Sequence, residues 1–340
     1  MQLDVKPQIL NLRTPFATAR GPKSTTNLVT VTLTDGMGRV GRGECAPISR
    51  YQESMESVCD ALSALAQDVK NGMTRQELQS VLPAGAARNA LDCAFWDIEC
   101  QWMHEPIWRR AHLSDRLRPV ETLQTLSLDT PERMAAAAAS FSAFTTLKIK
   151  LGGDFGDDLK RLEMVHHVRP DAALIVDANE GWDVDQLQSF IGPAALVGVK
   201  MIEQPLPAAQ DNKLLGIDRH GILICGDESV HTEKDITERQ DRYDMVNIKL
   251  DKSGGLTHAL DMVSRVKEIN TIRATQSQNP LKIMVGCMVG TSLAMAPAIV
   301  VAQSAQLADL DGASWLEKDV SGCVQYAGNK VQFGTKWGCG

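Results

Sequence analysis

The amino-acid sequence predicts an α/β protein whose main part is a closed parallel barrel of eight strand–helix units. From about Leu123, a short apolar strand, a loop and a helix follow one another at a period of roughly 20 to 30 residues. Before that point a meander of strands is followed by helices, which is typical of a small α+β domain. An open doubly wound sheet is the competing architecture, but the number of units favours the barrel. The candidate barrel strands are 122–127, 146–151, 173–177, 197–203, 222–226, 244–250, 282–287 and 306–310.

The segment before the barrel has the pattern of three strands followed by two helices. Residues 34–38, TDGMG, are a turn of the kind that joins two antiparallel strands. Residues 14–27 are polar and contain Gly-Pro, so we expect a long exposed loop between the first two strands. Both helices show apolar residues at helical spacing, and the first ends at Gly72. The predicted elements are strands 2–13, 27–35 and 38–46 and helices 53–72 and 84–103.

Domain boundaries follow from this change of pattern. We expect residues 1–118 to form the first domain and residues 119–312 to form the barrel. The tail, residues 313–340, contains no further strand–helix unit and is expected to fold back on the first domain.

Composition and charge argue against several classes of protein. The chain has 340 residues, 44% of them hydrophobic, and its net charge of −7 disfavours a general nucleic-acid binder. The longest apolar runs, such as SLAMAPAIVVA, are too short to span a bilayer, and residues 1–10 lack the features of a signal peptide. The eight cysteines form no C-x-x-C pair and are expected to be reduced, as in a cytoplasmic protein. The sequence leaves the oligomeric state open, including a homo-oligomer.

Residues 145–154, TTLKIKLGGD, place two lysines on one face of a predicted strand. Leu147 and Ile149 alternate with Lys148 and Lys150, and successive side chains of a strand point to opposite faces. Taken alone, this pattern is typical of a solvated edge strand, where lysine prevents pairing with other chains. The alternative is that the lysine face points into the mouth of the barrel, and the acidic residues of the following strands favour that alternative.

Acidic residues stand where three consecutive apolar runs stop. The runs LIVDAN, VKMIEQP and ILICGDES place Asp177, Glu203 and Asp227 at the ends of neighbouring strands. In a parallel barrel these ends converge on one rim, where active sites form. Each acid alone is most simply a solvated strand end or a helix cap, but three in succession would repel one another unless a divalent cation lay among them. Oxygen ligands without cysteine or histidine suit Mg²⁺ best, so we predict a Mg²⁺ site here.

Two lysines flank this series of acids. Lys150 belongs to the strand before it and Lys249 to the strand after it, so we expect them on opposite sides of the metal ion. Such a pair suits the removal of a proton from the carbon next to a carboxylate and its return to the opposite face, because the metal stabilises the enediolate. A lysine base must be partly neutral, so its pKa is expected to fall toward about 7–8 beside the cation. Lys148 would add to the repulsion that lowers this pKa and would contact the substrate carboxylate.

Taken in order, these motifs resemble those of the enolase superfamily, in its muconate-lactonizing-enzyme subgroup. That superfamily is a known example of a Lys or His base acting with Mg²⁺. The likeness extends over nearly the whole chain and implies a modified (β/α)7β TIM barrel with an N-terminal α+β capping domain that carries lid loops. The matching motifs are K-x-K at 148–150, DAN at 177–179, EQP at 203–205, DES at 227–229 and NIKLDKSGG at 247–255.

Within this subgroup, GCMVGTS and DLDG resemble the dipeptide epimerases. The resemblance implies that Asp309 and Asp311 bind the free ammonium of a dipeptide, and two acids facing a cation agree with that role. It also implies that a basic lid residue, Lys23, holds a side-chain carboxylate of the second residue, with Arg20 nearby to share the task. L-Ala-D/L-Glu in murein-peptide metabolism is the expected substrate and setting.

Two alternatives remain open. Other reactions of the same subgroup, namely o-succinylbenzoate synthase, cycloisomerase and N-acylamino acid racemase, share the metal acids and the lysines but do not need the acidic pair Asp309 and Asp311. A non-catalytic binding or structural barrel is the alternative from another class. The presence of both lysines together with all three acids argues against it.

Overall fold

The computed structural model describes residues 1–113 and 116–340 as three sheets and their surrounding helices. The strands are β1 (Gln2–Thr18), β2 (Gly21–Thr34), β3 (Val40–Cys45), β4 (Val120–Glu121), β5 (Gln124–Leu126), β6 (Thr146–Lys150), β7 (Ala173–Asp177), β8 (Val199–Glu203), β9 (Leu223–Gly226), β10 (Met245–Ile248), β11 (Lys282–Val285), β12 (Leu307–Ala308), β13 (Val324–Ala327) and β14 (Lys330–Phe333). The α-helices are α1 (Met55–Ala64), α2 (Ala66–Lys70), α3 (Arg75–Val81), α4 (Ala86–Met103), α5 (Ile107–Arg110), α6 (Pro131–Ser140), α7 (Phe155–Val168), α8 (Val184–Leu196), α9 (Glu233–Arg239), α10 (Leu250–Ser253), α11 (Leu256–Thr275) and α12 (Ser292–Ala302).

The eight strands β5 to β12 form one curled parallel sheet in which consecutive strands are neighbours. The two ends of this sheet meet, because the Leu123 N–H donates to the carbonyl of Ala308 at 3.1 Å. Every strand predicted for the barrel is present, with bounds that differ from the predicted ones by at most two residues. The TIM-barrel fold class predicted from the strand count is therefore confirmed, and the open doubly wound sheet is excluded.

Alternation along the barrel strands decides which side chains reach the mouth. Six apolar side chains, each within a barrel strand or directly before one, fill the interior of the barrel. Because side chains alternate along a strand, the residue two positions after each of them points the same way and lies at the carboxyl end of the strand. Asp177 thus stands above Ile175, and Glu203 stands above Met201. The interior layer consists of Leu123, Ile175, Met201, Cys225, Met245 and Met284.

Strand β6 settles the question raised by its two lysines. It pairs with β5 on one side and β7 on the other, so it is not an edge strand. Leu147 and Ile149 pack into the apolar layer under the outer helices, while Lys148 and Lys150 are buried on the opposite face. The solvated edge-strand interpretation is therefore wrong, because both faces of this strand are covered.

The N-terminal hairpin differs from its prediction. Residues 14–27 were expected to form a loop, but β1 and β2 continue through this segment as an antiparallel pair up to Thr18 and Gly21. The register shifts between Asn11 and Phe16, which marks a bulge at this point. The prediction was wrong because it relied on the polar composition of this segment. The segment also contains several threonines, whose branched side chains favour a strand.

Helix α4 packs so closely on β3 that the two backbones are in contact. A Cβ atom on Gly43 would lie 2.0 Å from the carbonyl oxygen of Ala90, so only glycine allows this approach. The same helix carries buried polar side chains on its other side. Arg88 donates to the carbonyl of Ser253 at 2.7 Å, and this contact ties α4 to the turn at the end of α10.

The segment that follows β10 is fixed by α4 as well. The carboxylate of Asp251 accepts hydrogen bonds from the Ala46 N–H and from the Asn89 side chain, both at 3.0 Å. Gly254 has φ +83° and lies against Arg88, where any side chain would collide with the guanidinium. These contacts hold the backbone immediately after Lys249, so the first 110 residues help to position a barrel residue.

The C-terminal segment returns to the N-terminal part of the chain. Strands β13 and β14 form a small antiparallel sheet with β4. The Trp337 indole donates to the carbonyl of Arg42 at 2.8 Å, and the Gly338 N–H donates to Asp97 at 2.7 Å. In the described residues, no helix is long and apolar enough to cross a membrane.

A buried carboxyl joins β3 to the barrel. Glu44 accepts hydrogen bonds from the N–H and the hydroxyl of Thr291, at 2.7 and 2.8 Å, where helix α12 begins. A Cβ atom on Gly290 would lie 3.1 Å from Glu44 Oε1, so a larger residue there would press on this carboxyl. Burial raises the pKa of Glu44 to about 7, although both hydrogen bonds oppose the shift.

We expect Glu44→Gln to remove a pH dependence of stability. The pKa of Glu44 in the fold lies above the ordinary value of about 4.3, so the stabilising neutral form is fully present below about pH 4 and lost as the pH rises through about 7. Glutamine is neutral throughout. The free energy of unfolding of the variant, relative to wild type, should therefore rise by about 2 kcal/mol between pH 5 and pH 8.

Urea denaturation at both pH values measures this difference. Glu163→Gln, on the exposed face of α7, is the matched surface control. A difference between Glu44→Gln and wild type that is the same at pH 5 and pH 8 would mean that Glu44 carries no shifted pKa.

Candidate active site

Three buried carboxylates lie next to one another at the mouth of the barrel. Asp177 and Glu203 are directly paired residues at the ends of β7 and β8, and Asp227 follows the last residue of β9. Their exposed fractions are 0%, 0% and 2%, so water does not screen their charges. The structure thus brings together the three acids that the sequence proposed as metal ligands.

The two lysines proposed as bases stand at either end of this row of acids. Lys150 Nζ lies 2.6 Å from Asp177 Oδ2, and Lys249 Nζ lies 2.7 Å from Asp227 Oδ2. Strands β7, β8 and β9 separate β6 from β10, so the two ammonium groups enter the mouth from different sides. This is the arrangement expected for amines that reach opposite faces of one bound molecule.

Lys148 lies among the acids of the mouth. Its ammonium lies 3.0 Å from Asp177, 2.8 Å from Glu203 and 2.8 Å from Asp309, and only 1% of the residue is exposed. It therefore neutralises these acids directly, and its contact with a substrate carboxylate stays a prediction.

The three acids suit a hard dication by their chemistry. They offer only oxygen, and Glu203 Oε2 lies near the Lys148 ammonium without receiving a hydrogen bond of acceptable geometry. In residues 1–113 and 116–340, no three Asp, Glu, His or Cys side chains are grouped so as to hold a metal ion as they stand. Since the lysine ammonium groups reach the same carboxylate oxygens, metal binding would require these ammonium groups to draw back.

Charge and burial shift the pKa values of this cluster. Burial, and then the charge of Asp177, raise the pKa of Glu203 to about 7. Burial also disfavours the charged form of Lys249, but Asp227 and Glu203 outweigh it and raise the lysine pKa well above its ordinary value. Lys249 is therefore held in its charged form while it faces the carboxylates directly, and the lower pKa expected beside a cation stays a prediction.

A cavity of about 470 Å³ opens above this cluster. Barrel side chains form its floor, including both proposed bases and the acids of the DLDG motif. Its roof consists of two segments that we call the lid hairpin, residues 16–27 at the tip of β1 and β2, and the lid loop, residues 46–51. The cavity is thus enclosed by the barrel on one side and by the N-terminal segment on the other.

The acidic pair lines this cavity. Asp311 accepts a hydrogen bond from the Thr125 N–H at 2.8 Å, which fixes its carboxyl beside β5. Burial, and then the charge of Asp309, raise the pKa of Asp311 to about 7. One oxygen of Asp309, Oδ1, is buried without a hydrogen-bond partner among the described residues. Both acids therefore favour a cationic group in the cavity.

The two basic lid residues have different surroundings. Lys23 lines the cavity, with its ammonium 5.8 Å from the centre of the Phe16 ring, and Lys150 lies 6.0 Å from the same ring. Desolvation by the lid, and then the Lys150 ammonium, lower the pKa of Lys23. Arg20 also lines the cavity, but its guanidinium contacts the carboxylates of Glu180 and Glu228. Lys23 is therefore the lid cation that protein carboxylates leave available to a ligand.

Sequence reasoning missed several residues of the mouth. Lys252 donates to both the carboxylate and the carbonyl of Asp227, and Asn247 donates to Glu203 at 2.9 Å. Asn179 accepts from Lys150 at 3.2 Å. These residues lie inside the motifs that marked the site, so their polarity next to a strand end was the available signal. Lid residues Arg50 and Tyr51 offered no such signal.

Two family descriptions match this chain. Residues 2–109 match "Mandelate racemase / muconate lactonizing enzyme, N-terminal domain", and residues 130–340 match "Enolase C-terminal domain-like".

Related proteins cover nearly the same length. The L-Ala-D/L-Glu epimerase of Escherichia coli (strain K12) is 40% identical over 326 residues, 95% of this chain and 96% of that protein. The N-acetyl-D-glutamate racemase of Pseudoalteromonas sp is 39% identical over 293 residues, 86% of this chain and 88% of that protein. A crystal structure of an enolase family member from Agrobacterium tumefaciens with homology to dipeptide epimerases, with bound sodium and L-Ala-L-Glu, is 42% identical, covers 99% of both chains and has a TM-score of 0.92.

These matches agree with the barrel, the row of strand-end acids and the flanking lysines. They confirm the resemblance drawn from the motifs, and this chain belongs to the enolase superfamily, in the mandelate racemase and muconate-lactonizing-enzyme group.

Proposed function

We propose that this protein is a Mg²⁺-dependent dipeptide epimerase that acts on L-Ala-D/L-Glu by transferring a proton between the two faces of one carbon. The observation that carries the proposal is a single cavity in which Lys150 and Lys249 flank buried acids while Asp309 and Asp311 form a second acidic site. Two relatives support the choice of substrate. One is named L-Ala-D/L-Glu epimerase, and the other is the crystal structure with bound L-Ala-L-Glu.

Asp177, Glu203 and Asp227 would hold the Mg²⁺ ion. When bound, the ion stabilises the negative charge that develops on the substrate carboxylate as the α-proton leaves. Lys150 removes the proton on one side, and Lys249 returns a proton on the other, with the roles exchanged for the opposite isomer. A dication beside the acids would also weaken their hold on both lysines and move the pKa of Lys249 down, toward the range that a base needs.

The two ends of the dipeptide would be held by opposite charges. Asp309 and Asp311 receive the free ammonium, and Lys23 faces the side-chain carboxylate of the second residue. Lys148, enclosed by acids, balances their charge in this proposal and reaches the substrate carboxylate only if the metal displaces it. Arg20 would act through its contacts with protein carboxylates more than through the ligand.

A second candidate is racemisation of an N-acylated amino acid. The similarity to an N-acetyl-D-glutamate racemase favours it, because that enzyme's name gives a substrate whose amine is acylated and uncharged. The same metal acids and lysines would serve this reaction. The acidic pair Asp309 and Asp311 separates the two candidates, because only a dipeptide offers a free ammonium to it.

The remaining features of the proposal concern setting and organisation. We propose residues 1–118 as a capping domain, joined by 313–340, and residues 119–312 as the catalytic barrel. The contacts of Trp337 and Gly338 with the N-terminal part support this division. Murein-peptide metabolism in the cytoplasm is the proposed setting, and a small dipeptide is the proposed partner, without nucleic acid or membrane.

Lys150→Ala and Lys249→Ala should each abolish α-proton exchange from one isomer and spare exchange from the other, because each lysine faces one side of the carbon. Exchange is measured by NMR in deuterated water with Mg²⁺ and either L-Ala-L-Glu or L-Ala-D-Glu. Lys234→Ala, on the exposed face of α9, is the control and should retain exchange from both. If each variant lost exchange equally from both isomers, the assignment of the two lysines to opposite faces of the carbon would be wrong.

Asp311→Asn should raise the KM for L-Ala-L-Glu by roughly 10- to 100-fold, because a charge-assisted contact with the ammonium is lost. Asparagine can still accept the Thr125 N–H, so the local structure is kept. The Mg²⁺ concentration that gives half-maximal activity should change little. N-Acetyl-L-Glu is the control substrate, because it has no free ammonium, and its KM should not change in this variant. Wild-type turnover of N-acetyl-L-Glu that exceeds dipeptide turnover, together with an unchanged dipeptide KM in Asp311→Asn, would favour the N-acyl racemase instead.

A further inference from the structure

Four charged side chains form a continuous chain of ion pairs across the roof of the cavity. Arg50 donates two hydrogen bonds to the carboxylate of Glu180, at 2.7 and 2.8 Å. Arg20 contacts the same carboxylate at 3.1 Å and also pairs with Glu228. Positive and negative charges alternate along this chain, so every contact in it is attractive.

Each arginine belongs to a different part of the lid. Arg20 is at the tip of the lid hairpin, and Arg50 is in the lid loop. Glu180 follows β7 at the mouth of the barrel, three residues beyond Asp177. One barrel carboxylate therefore connects the barrel to both lid segments.

The backbone around Glu180 is held in an uncommon conformation. Asn179 and Glu180 have φ values of +46° and +67°, in the left-handed region that residues other than glycine rarely adopt. The Glu180 N–H donates to the carbonyl of Gln204 at 2.9 Å, and the Ala208 N–H donates to the Glu180 carboxylate at 2.9 Å. Such strain persists only where the surrounding contacts determine the conformation, and here they aim Glu180 at the two arginines.

Other contacts hold both lid segments independently of these ion pairs. Next to the turn of the lid hairpin, the Ala17 N–H donates to the Ser127 hydroxyl at 2.7 Å, and the Leu128 N–H donates to the carbonyl of Ala17 at 3.0 Å. In the lid loop, the Tyr51 ring packs edge-on against the His231 ring, with 4.7 Å between the ring centres. Breaking the ion pairs would thus loosen the hairpin around Arg20 without unfolding the structure beneath it.

We propose that Glu180 is a positioning residue that keeps both lid segments closed over the cavity through Arg20 and Arg50. The proposal rests on the proposed function only for its kinetic consequence, since closure itself can be measured without any substrate. It assigns Arg20 to lid closure and leaves Lys23 as the lid cation that meets the ligand.

Limited trypsin digestion of the folded protein tests closure directly. Trypsin can cleave after Arg20 and Lys23 in the lid hairpin and after Arg50 in the lid loop. Glu180→Gln should raise the rate of cleavage at Arg20 and Lys23 about tenfold, because the open population increases when charged hydrogen bonds are lost. An unchanged rate at both sites would overturn the proposal.

Glu99→Gln is the matched control. Glu99 is also held by two arginines, Arg75 and Arg110, and its side chain is 14% exposed, compared with 11% for Glu180. It lies on α4, away from the cavity, so its loss should not change cleavage at Arg20 or Lys23. An equal increase in the control would show general loosening and overturn the specific role of Glu180.

Arg20→Met provides a double-mutant cycle with Glu180→Gln, because Arg20 is the residue of the lid hairpin that contacts Glu180. If both act through this contact, the double variant should be cleaved at Lys23 no faster than Arg20→Met alone. Independent, multiplying effects would overturn the shared role. Should Glu180→Gln fail to fold, Arg20→Met still tests the proposal, because it removes the hairpin's own partner of Glu180 and must accelerate cleavage at Lys23.

Kinetics and salt separate closure from the chemistry. In an active protein, Glu180→Gln should raise the KM for L-Ala-L-Glu more than it lowers kcat, and added NaCl should raise KM in wild type more than in the variant. The reverse split, with kcat lost and KM unchanged, would overturn positioning through the lid. If wild type turns over no dipeptide but Glu180→Gln still accelerates cleavage, the proposed function fails and the role in closure stands.

Discussion

The mouth of the barrel depends on the mutual neutralisation of buried charges. Three carboxylates with almost no solvent exposure are tolerated because ammonium groups lie within 3.0 Å of each of them. An isolated charge in such surroundings costs several kcal/mol, and removing one partner of a buried pair typically destabilises a protein by about 3–5 kcal/mol. The acids and lysines are therefore one unit, and a dication that enters it must exchange with ammonium–carboxylate contacts.

Residues beneath and beside this charged unit support it. Beneath it, the apolar layer that includes Ile175 and Met201 fills the barrel and gives the acids a rigid base. Beside it, Gln204 accepts the N–H groups of Asp227 and Ser229, at 2.9 and 3.1 Å, and so fixes the turn that follows β9. Polar residues of α4 fix the turn that follows β10 in the same way. The strand ends are thus held by side chains outside the row of acids and lysines as well as by that row itself.

The sequence was sufficient for the barrel and for the row of acids because both follow from local periodicity. An acid that ends an apolar run at alternate spacing must point to the mouth, as Asp177 and Glu203 do. The surroundings of Lys148 could not be predicted in this way, since they depend on Asp309, which is 161 residues away in the chain. The contacts of Glu180 with Arg20 and Arg50 were missed for the same reason. The loop expected at 14–27 was wrong because composition was used where pairing with another strand decides the structure.

The charged unit and the lid come from different parts of the chain. The charged unit and both candidate bases belong to β6–β10, whereas the cavity roof is built from the first 51 residues. Changes in the lid can therefore alter which side chain fits the cavity without disturbing the buried charges. The two parts must still close against each other with fixed geometry, because a cavity open to water would weaken every electrostatic contact inside it. A strained barrel residue such as Glu180, which contacts both segments of the lid, meets this requirement at the boundary between recognition and chemistry.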